Sequence, residues 1–349
     1  MMPVDPELQP PYLRVRYLAE ALDPIHVGTG EFRLGRVDNT IVREPGTNLP
    51  KIPGSSMAGV CRAYTAMKRN RYLRTGPDGK AVSCAGKGGK EGEEHCGEIK
   101  CPVCVPYGFA KGKSGFQGLA QFGDLRLLFF PVYTCYGPVW ITSPSALEDA
   151  GVKAEWVSGT AAKEWSQLLT DQNSTICLGG ANKKLINFGW LYLASSTVAG
   201  LKPLGEWTIA HGEAEGRSKL GGVRYLGPVL ENLYLVSNAL LPVIVDDQLE
   251  VRTSVSISPR TGAAEPGALF TYEAIPRATF FSTHCTYLNP ALYRVPGYDE
   301  PIGMKMPGLR RRVEDGMRMI EFLGLGGSNT RGLGRMRVIP GVEGFPDGI

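Results

Sequence analysis

Cys84, Cys96, Cys101 and Cys104 are spaced C-x11-C-x4-C-x2-C and close on the tetrapeptide Cys-Pro-Val-Cys. Thiolates are soft ligands, and a C-x2-C pair sets two of them on one edge of a metal tetrahedron. The run therefore reads as a structural zinc site whose four positions are all filled by protein, leaving none open for catalysis. His95, beside Cys96, is an alternative ligand; the competing reading is a polar loop with four free thiols. A second concentration of chemistry runs from His26 to Arg62. Glycines 28, 30 and 35 let a backbone approach a ligand closely. Pro53-Gly54-Ser55-Ser56 offers serine caps for a helix whose free N–H groups suit phosphate. Asp38 lies between them, either a catalytic carboxylate or an ordinary surface aspartate. One carboxylate needs help: a cation held jointly with a substrate phosphate, or a nucleophile that the substrate itself carries. His26 is near enough in sequence to act as a general acid or base, or to be a structural histidine.

The loop Gly324–Gly334, GLGGSNTRGLG, is the third candidate. It follows a helical pattern and precedes a strand, the reverse of a dinucleotide-binding loop, so a nicotinamide reading fails on context. Gly326, Gly327, Ser328, Asn329 and Arg331 can still offer backbone N–H groups and a guanidinium to a sugar–phosphate chain. No Walker A sequence, H-E-x-x-H or defensible Ser-His-Asp order is present.

These groups need elements to hold them. The 349 residues carry 43% hydrophobic and 21% charged side chains, ordinary for a globular chain, and 45 glycines and 26 prolines favour turns over a helical bundle. The net charge of +4 permits a polyanionic partner without requiring one, and the basic residues crowd between Arg62 and Lys113, with Lys68, Arg69, Arg71 and Arg74 closely grouped. No apolar run approaches the roughly 20 residues that span a bilayer, and the acidic, proline-rich start lacks a signal-peptide pattern. The expectation is a cytoplasmic protein without a membrane partner, in a reducing compartment where metal ligation is the default for cysteine. Periodicity predicts a strand at 12–22, a helix from Ser55 to about Arg71, strands at 119–133 and 138–142, and a short helix at 146–150. It further predicts strands at 250–258 and 268–283 around a Pro259–Gly262 turn, a helix at 309–323 with Leu309, Val313, Met317 and Ile320 on one face, and a last strand. Residues 73–118 form a polar insertion too long for a plain connection, and 151–230 are weakly patterned. The order is compatible with a split βαββαβ core: an α+β, ferredoxin-like single domain over 1–349 with large insertions.

Taken in chain order, these motifs resemble the RAMP superfamily, specifically the repeated backbone subunit of type III CRISPR effector complexes. The residues that carry the resemblance are His26-Val27-Gly28-Thr29-Gly30, Val37-Asp38-Asn39-Thr40-Ile41-Val42-Arg43-Glu44-Pro45 and Ile52-Pro53-Gly54-Ser55-Ser56. Cys101–Cys104 with Tyr107-Gly108, Phe122-Gly123-Asp124, Arg260-Thr261-Gly262, Glu273 with Ile275-Pro276, and Leu325–Gly334 complete it. The cysteine knuckle and the Ser-Asn-Thr-Arg-Gly loop are closer to the Csm-type subunit than to the Cmr type.

The resemblance implies an RRM-like core that polymerises with copies of itself along a guide (CRISPR) RNA, beside other effector subunits. It implies a β-hairpin thumb, placed at about 160–250, while the zinc-binding insertion at 73–118 stands on the cysteine spacing. It further implies Mg²⁺-type, metal-dependent cleavage of the complementary target RNA at regular intervals through Asp38. Ser55, Ser56, Arg62 and the loop around Arg331 map to guide-backbone contacts. Where the family has a lysine this chain has Ala58, and Arg62 or Lys51 can take that contact over. Two other expectations stand beside this one: a non-catalytic RNA-binding scaffold, and a metal-independent guide-processing endonuclease using His26.

Overall fold

The computed structural model describes residues 10–32, 37–75, 81–86, 95–152, 173–179, 183–197, 223–265 and 269–339. Two helices alternate with four central strands along the chain: β1 (Tyr12–Ala21), α1 (Gly54–Lys68), β2 (Leu125–Thr134), β3 (Phe280–Leu288), α2 (Met306–Leu323) and β4 (Met336–Ile339). Across the sheet they lie in the order β2-β3-β1-β4, each neighbour antiparallel.

The weak alternation of YLRVRYLAEA has a physical cause. Val15, Tyr17, Ala19 and Ala21 face the core that the two helices cover, while Leu18 joins a second core on the opposite face with Leu128, Phe129, Leu147, Leu233 and Phe280. A strand buried on both faces need not alternate cleanly. Helix α1 buries Met57, Cys61, Tyr64 and Thr65, one stripe at helical spacing. Helix α2 buries Leu309, Val313, Met317 and Ile320 as its period predicts. The same helix also buries Arg310, Glu314 and Asp315. Arg310 donates to Glu314 at 2.7 Å, and Glu314 accepts from the Tyr17 hydroxyl at 3.1 Å, so the charges are paired under the sheet.

The helices cross at Gly316, where an added Cβ would lie 2.5 Å from the Cys61 carbonyl oxygen and 2.6 Å from Thr65 Oγ1. Gly316→Ala is therefore expected to cost about 1–3 kcal/mol through overpacking against backbone. A lowered denaturation midpoint with an unchanged m-value checks this.

Beyond β2 the sheet continues through Gly137–Thr142, Leu233–Leu235, Ser174–Cys177, Leu191–Thr197 and Leu185–Phe188, nine strands that two short additions bring to eleven among the described residues. Parts of the expected thumb span are thus hydrogen-bonded into the main sheet. The hairpin of Leu185–Phe188 and Leu191–Thr197 is antiparallel and joins through Ser174–Cys177. The remainder, residues 160–172, 180–182 and 198–222, lies outside the described residues, as does Gly35 of the glycine-punctuated loop.

A separate four-stranded sheet runs Glu250–Ser254, Phe270–Ala274, Asn39–Ile41, Gly28–Phe32. It corrects the single strand expected at 268–283: that stretch breaks after Ala274, with Ala278 at φ 67, and only its second half enters the main sheet as β3. Proline 276 supplies no N–H to a ladder, so the chain turns there and serves two sheets. Among the described residues, no helix is long and apolar enough to cross a membrane.

Candidate functional site

The small sheet gathers most of the singled-out residues. Asp38 is exposed immediately before Asn39–Ile41, and its carboxylate rests on the neighbouring strand. The backbone N–H of Thr271 donates to Asp38 Oδ2 at 2.7 Å, and the Thr271 hydroxyl donates to the same oxygen at 3.0 Å. The N–H of Asp38 returns to Thr271 Oγ1 at 3.1 Å. These donors, the backbone N–H first, hold the Asp38 carboxyl below the ordinary carboxylate range. The group is an anion at neutral pH.

The glycine loop docks on His26. The N–H of Gly327 donates to the His26 carbonyl at 2.9 Å, and Gly326, at φ +79, passes so near that a Cβ would lie 2.3 Å from that oxygen. Only glycine has room and conformation for that approach. At the loop's far side Arg331 Nη1 donates to Ser254 Oγ at 3.2 Å. Ser254 pairs with Phe270, one residue from Thr271, so the guanidinium and the Asp38 carboxylate flank the same strand pair. Ser328 takes a left-handed conformation, and the Asn329 side chain turns inward to the Leu323 carbonyl at 3.3 Å, bracing the loop.

His26 is half-buried, and its ring serves the scaffold. Its Nδ1–H donates to the Glu273 carbonyl at 2.6 Å, and the ring meets Tyr272 edge-on at 5.6 Å. The Glu273 carboxylate beneath accepts from Arg43 at 3.2 Å and from the Ile41 N–H at 3.3 Å. Arg43 is shared with Asp246 at 2.9 Å. This buried ion pair ties the Asp38 strand to Phe270–Ala274.

At the start of α1 the structure departs from the serine-cap expectation. Pro53 is the cap residue and no side chain of its own caps the helix. Asp124 takes that role: Oδ1 accepts from the Gly54 N–H at 2.8 Å and Oδ2 from Lys51 Nζ at 2.6 Å. A carboxylate satisfies a helix N-terminus as an external anion would. Gly54 allows it, since a Cβ would sit 2.4 Å from the Phe122 carbonyl oxygen. Ser55 is exposed and Ser56 half-buried on the first turn.

The four cysteines converge. Sγ–Sγ distances are 3.7 Å for Cys96–Cys104, 3.9 Å for Cys101–Cys84 and 3.7 Å for Cys104–Cys84, and all four sulfurs lie within 4.8 Å of one another. A tetrahedron of about 2.3 Å metal–sulfur bonds separates its sulfurs by about 3.8 Å, so the cluster can bind a metal such as zinc. Hydrogen bonds from neighbouring sulfurs, Cys101 and Cys104 first in each case, draw Cys84 and Cys101 down to about 7. The same contacts, led by Cys101, push Cys104 up.

Arg62 belongs to this cluster. Its guanidinium donates to the carbonyls of Cys84 at 2.7 Å and Tyr107 at 3.3 Å, and lies 2.8 Å from His95 Nε2. Burial weighs against its charge, and the sulfurs of Cys104, Cys84 and Cys101 weigh for it. Arg62, the expected guide contact, thus bridges α1 and the insertion. His95 lies outside the sulfur tetrahedron, with its ring nitrogens against the carbonyls of Gly86 and Ala110. The grouped basic residues are paired as well: Lys68 and Arg69 with Asp315, Arg71 and Arg74 with Glu98.

Three contributors have roles that are not visible in the sequence. Thr271 carries no signal, being one threonine in a strand. Asp124 and Glu273 stand in motifs of the resemblance, but their partners, Gly54 and Arg43, are 70 and 230 positions away.

The RAMP superfamily profile matches residues 18–337. The endoribonuclease Csm3 of a CRISPR system in Methanothermobacter thermautotrophicus is 32% identical over 96 residues, 27% of this chain and 32% of that protein. The chain thus spans about a third of that relative. The Cmr endoribonuclease Cmr4 of Pyrococcus furiosus is 28% identical over 272 residues, 74% of this chain and 77% of Cmr4. A chain of the type III-B Cmr-beta complex bound to cognate target RNA superposes with TM-score 0.59 at 15% identity, covering 95% of this chain and 99% of that one. Oligomeric Cmr4 from P. furiosus superposes with TM-score 0.52 at 18% identity, covering 94% and 98%. With a profile match over nearly the whole chain and a shared fold, this protein belongs to the RAMP superfamily.

Proposed function

We propose that this chain is a guide-RNA-binding backbone subunit of a type III CRISPR effector complex that cleaves the paired target RNA at regular intervals through Asp38. The observation that carries the reading is the small sheet. It presents an exposed, ionised Asp38 fixed on Thr271, with the Arg331 guanidinium anchored one register position away. That the relatives Csm3 and Cmr4 are named endoribonucleases supports the reaction class. The order β2-β3-β1-β4 with a helix after β1 and after β3 supports a ferredoxin-like core.

RNA brings its own nucleophile, the 2′-hydroxyl, so the protein must hold the strand in line and manage charge. Asp38 Oδ2 is occupied by Thr271, which leaves Oδ1 to accept a proton or to share a hard cation with a phosphate oxygen. A bound Mg²⁺ would neutralise charge developing on that phosphate. Arg331, together with the outer N–H groups of the glycine loop, suits the adjoining sugar–phosphate chain, and Ser55 and Ser56, beside the Lys51 that Asp124 pairs, suit a second backbone contact at the α1 start. Sequence would be read by base pairing, with the protein reading backbone and shape. The sulfur cluster suits zinc, which would order the insertion with no part in the reaction.

Labelled complementary RNA incubated with the guide-loaded complex tests the reading. Mg²⁺ should give a ladder of evenly spaced products and EDTA should give none. Intact RNA in every lane, with binding confirmed, would make the chain a scaffold. Full cleavage in EDTA that is lost in His26→Ala would move the chemistry to the imidazole.

A further inference from the structure

We infer that Thr271 is the positioning residue of this site: it holds Asp38 so that Oδ1, and not Oδ2, faces the substrate. The inference rests on the reading of Asp38 as the catalytic group, and goes beyond it by naming the residue that aims the carboxylate.

The geometry is a closed ring of three hydrogen bonds. The N–H and O–H of Thr271 converge on Oδ2 at 2.7 and 3.0 Å, while Thr271 Oγ1 accepts from the Asp38 N–H at 3.1 Å. Because Oγ1 takes the Asp38 N–H on its lone pair, its own proton is turned toward Oδ2. The hydroxyl therefore has one orientation, and the carboxylate plane follows it. An exposed aspartate at the end of a short strand otherwise samples several rotamers. Two convergent donors select one of them and stabilise its charged form.

Thr271 is itself well supported. It lies opposite Thr253 in the antiparallel pair of Glu250–Ser254 and Phe270–Ala274. Two positions on, the buried Glu273 anchors Arg43 and the Ile41 N–H, fixing Asn39–Ile41 against the same strand. A positioning group needs a rigid neighbour of this kind, and groups one step removed from the reacting atoms commonly change activity by about ten- to a hundredfold.

The test uses the full chain in its guide-loaded complex. Thr271→Ala retains the backbone N–H but removes the hydroxyl, and should lower kcat for cleavage about tenfold or more with RNA affinity unchanged. Thr271→Ser should restore kcat to within about twofold of wild type, and Thr271→Val, which keeps the shape, should behave as Ala. Carbon-13 titration of the Asp38 carboxyl in the isolated subunit supplies a readout that packing alone does not move. Its midpoint should rise in Thr271→Ala and return in Thr271→Ser. Wild-type kcat in Thr271→Ala beside a dead Asp38→Ala overturns the positioning role and leaves the Asp38 reading intact. Equal losses in the Ala and Ser variants, or an unshifted Asp38 titration, also overturn it. Undiminished cleavage in Asp38→Ala would instead remove the reading on which it rests.

Discussion

Asp38→Ala is expected to lower the rate of target-RNA cleavage by about a thousandfold while guide-loaded assembly and RNA affinity stay within about twofold of wild type. The split between rate and binding follows from the structure. Asp38 is exposed and its side chain rests on the edge of Phe270–Ala274, so its removal leaves the small sheet held by Glu273 and Arg43. Single-turnover cleavage and filter binding on the same preparations check both halves. Loss of assembly would make Asp38 structural, and undiminished cleavage would place the chemistry elsewhere.

The pH dependence follows in sign from the same contacts. Thr271 lowers the Asp38 carboxyl from its ordinary value, so the charged form persists to lower pH than in a free aspartate and is lost only as pH falls through that lowered value. Asp38 therefore contributes no inflection to the rate between about pH 5 and pH 8.

Removing the metal from the sulfur cluster is the second large effect. The purified chain is expected to carry one zinc, and Cys101→Ser or strong chelation should release it and unfold the insertion. Ligation by four thiolates contributes about 10 kcal/mol or more in small zinc modules. Among the described residues the insertion holds two short hairpins and a four-residue helix, and its buried apolar side chains, Ile99, Val103, Val105, Phe109 and Phe116, share one core with the four cysteines, so loss of the metal would loosen that core. The damage should reach α1, because Arg62 takes its carbonyl partners from Cys84 and Tyr107. Metal analysis and limited proteolysis measure the two steps. Well under one zinc per chain, or a protease pattern unchanged by chelation, would reduce the cluster to four buried thiols. Asp38 lies on a different sheet, so residual cleavage by the zinc-depleted protein would confirm that this metal is structural.

The short-range features of the chain are legible in its sequence. The C-x11-C-x4-C-x2-C run, the α2 stripe of Leu309, Val313, Met317 and Ile320, and the first strand are set by neighbours a few positions apart, which spacing reports directly. The expected strand at 119–133 is instead two, Ala120–Phe122 and Leu125–Thr134, with Gly123-Asp124 between them. That break frees Asp124 to cap α1, a role fixed by where Gly54 arrives in space.

Composition names the basic residues, but their use depends on partners. Arg62, Lys68, Arg69, Arg71 and Arg74 stand in the sequence as a basic block open to a polyanion, because a charge shows its sign and not its counterion. Folding gives them Cys84 and Tyr107 carbonyls, Asp315 and Glu98. Likewise the stretch 268–283 has the β-propensity of one strand, and the fold divides it at Pro276 between two sheets.

By itself the sequence determined which groups can do chemistry: one loop aspartate, four clustered thiols and a glycine loop with an arginine. It also determined the alternation of strands and helices that would carry them, since both rest on local spacing. The tertiary structure alone decided which residue the aspartate hydrogen-bonds to. Thr271 is 233 positions from Asp38, and a hydrogen bond across that separation depends on Asn39–Ile41 pairing in parallel with Phe270–Ala274, which no local pattern encodes.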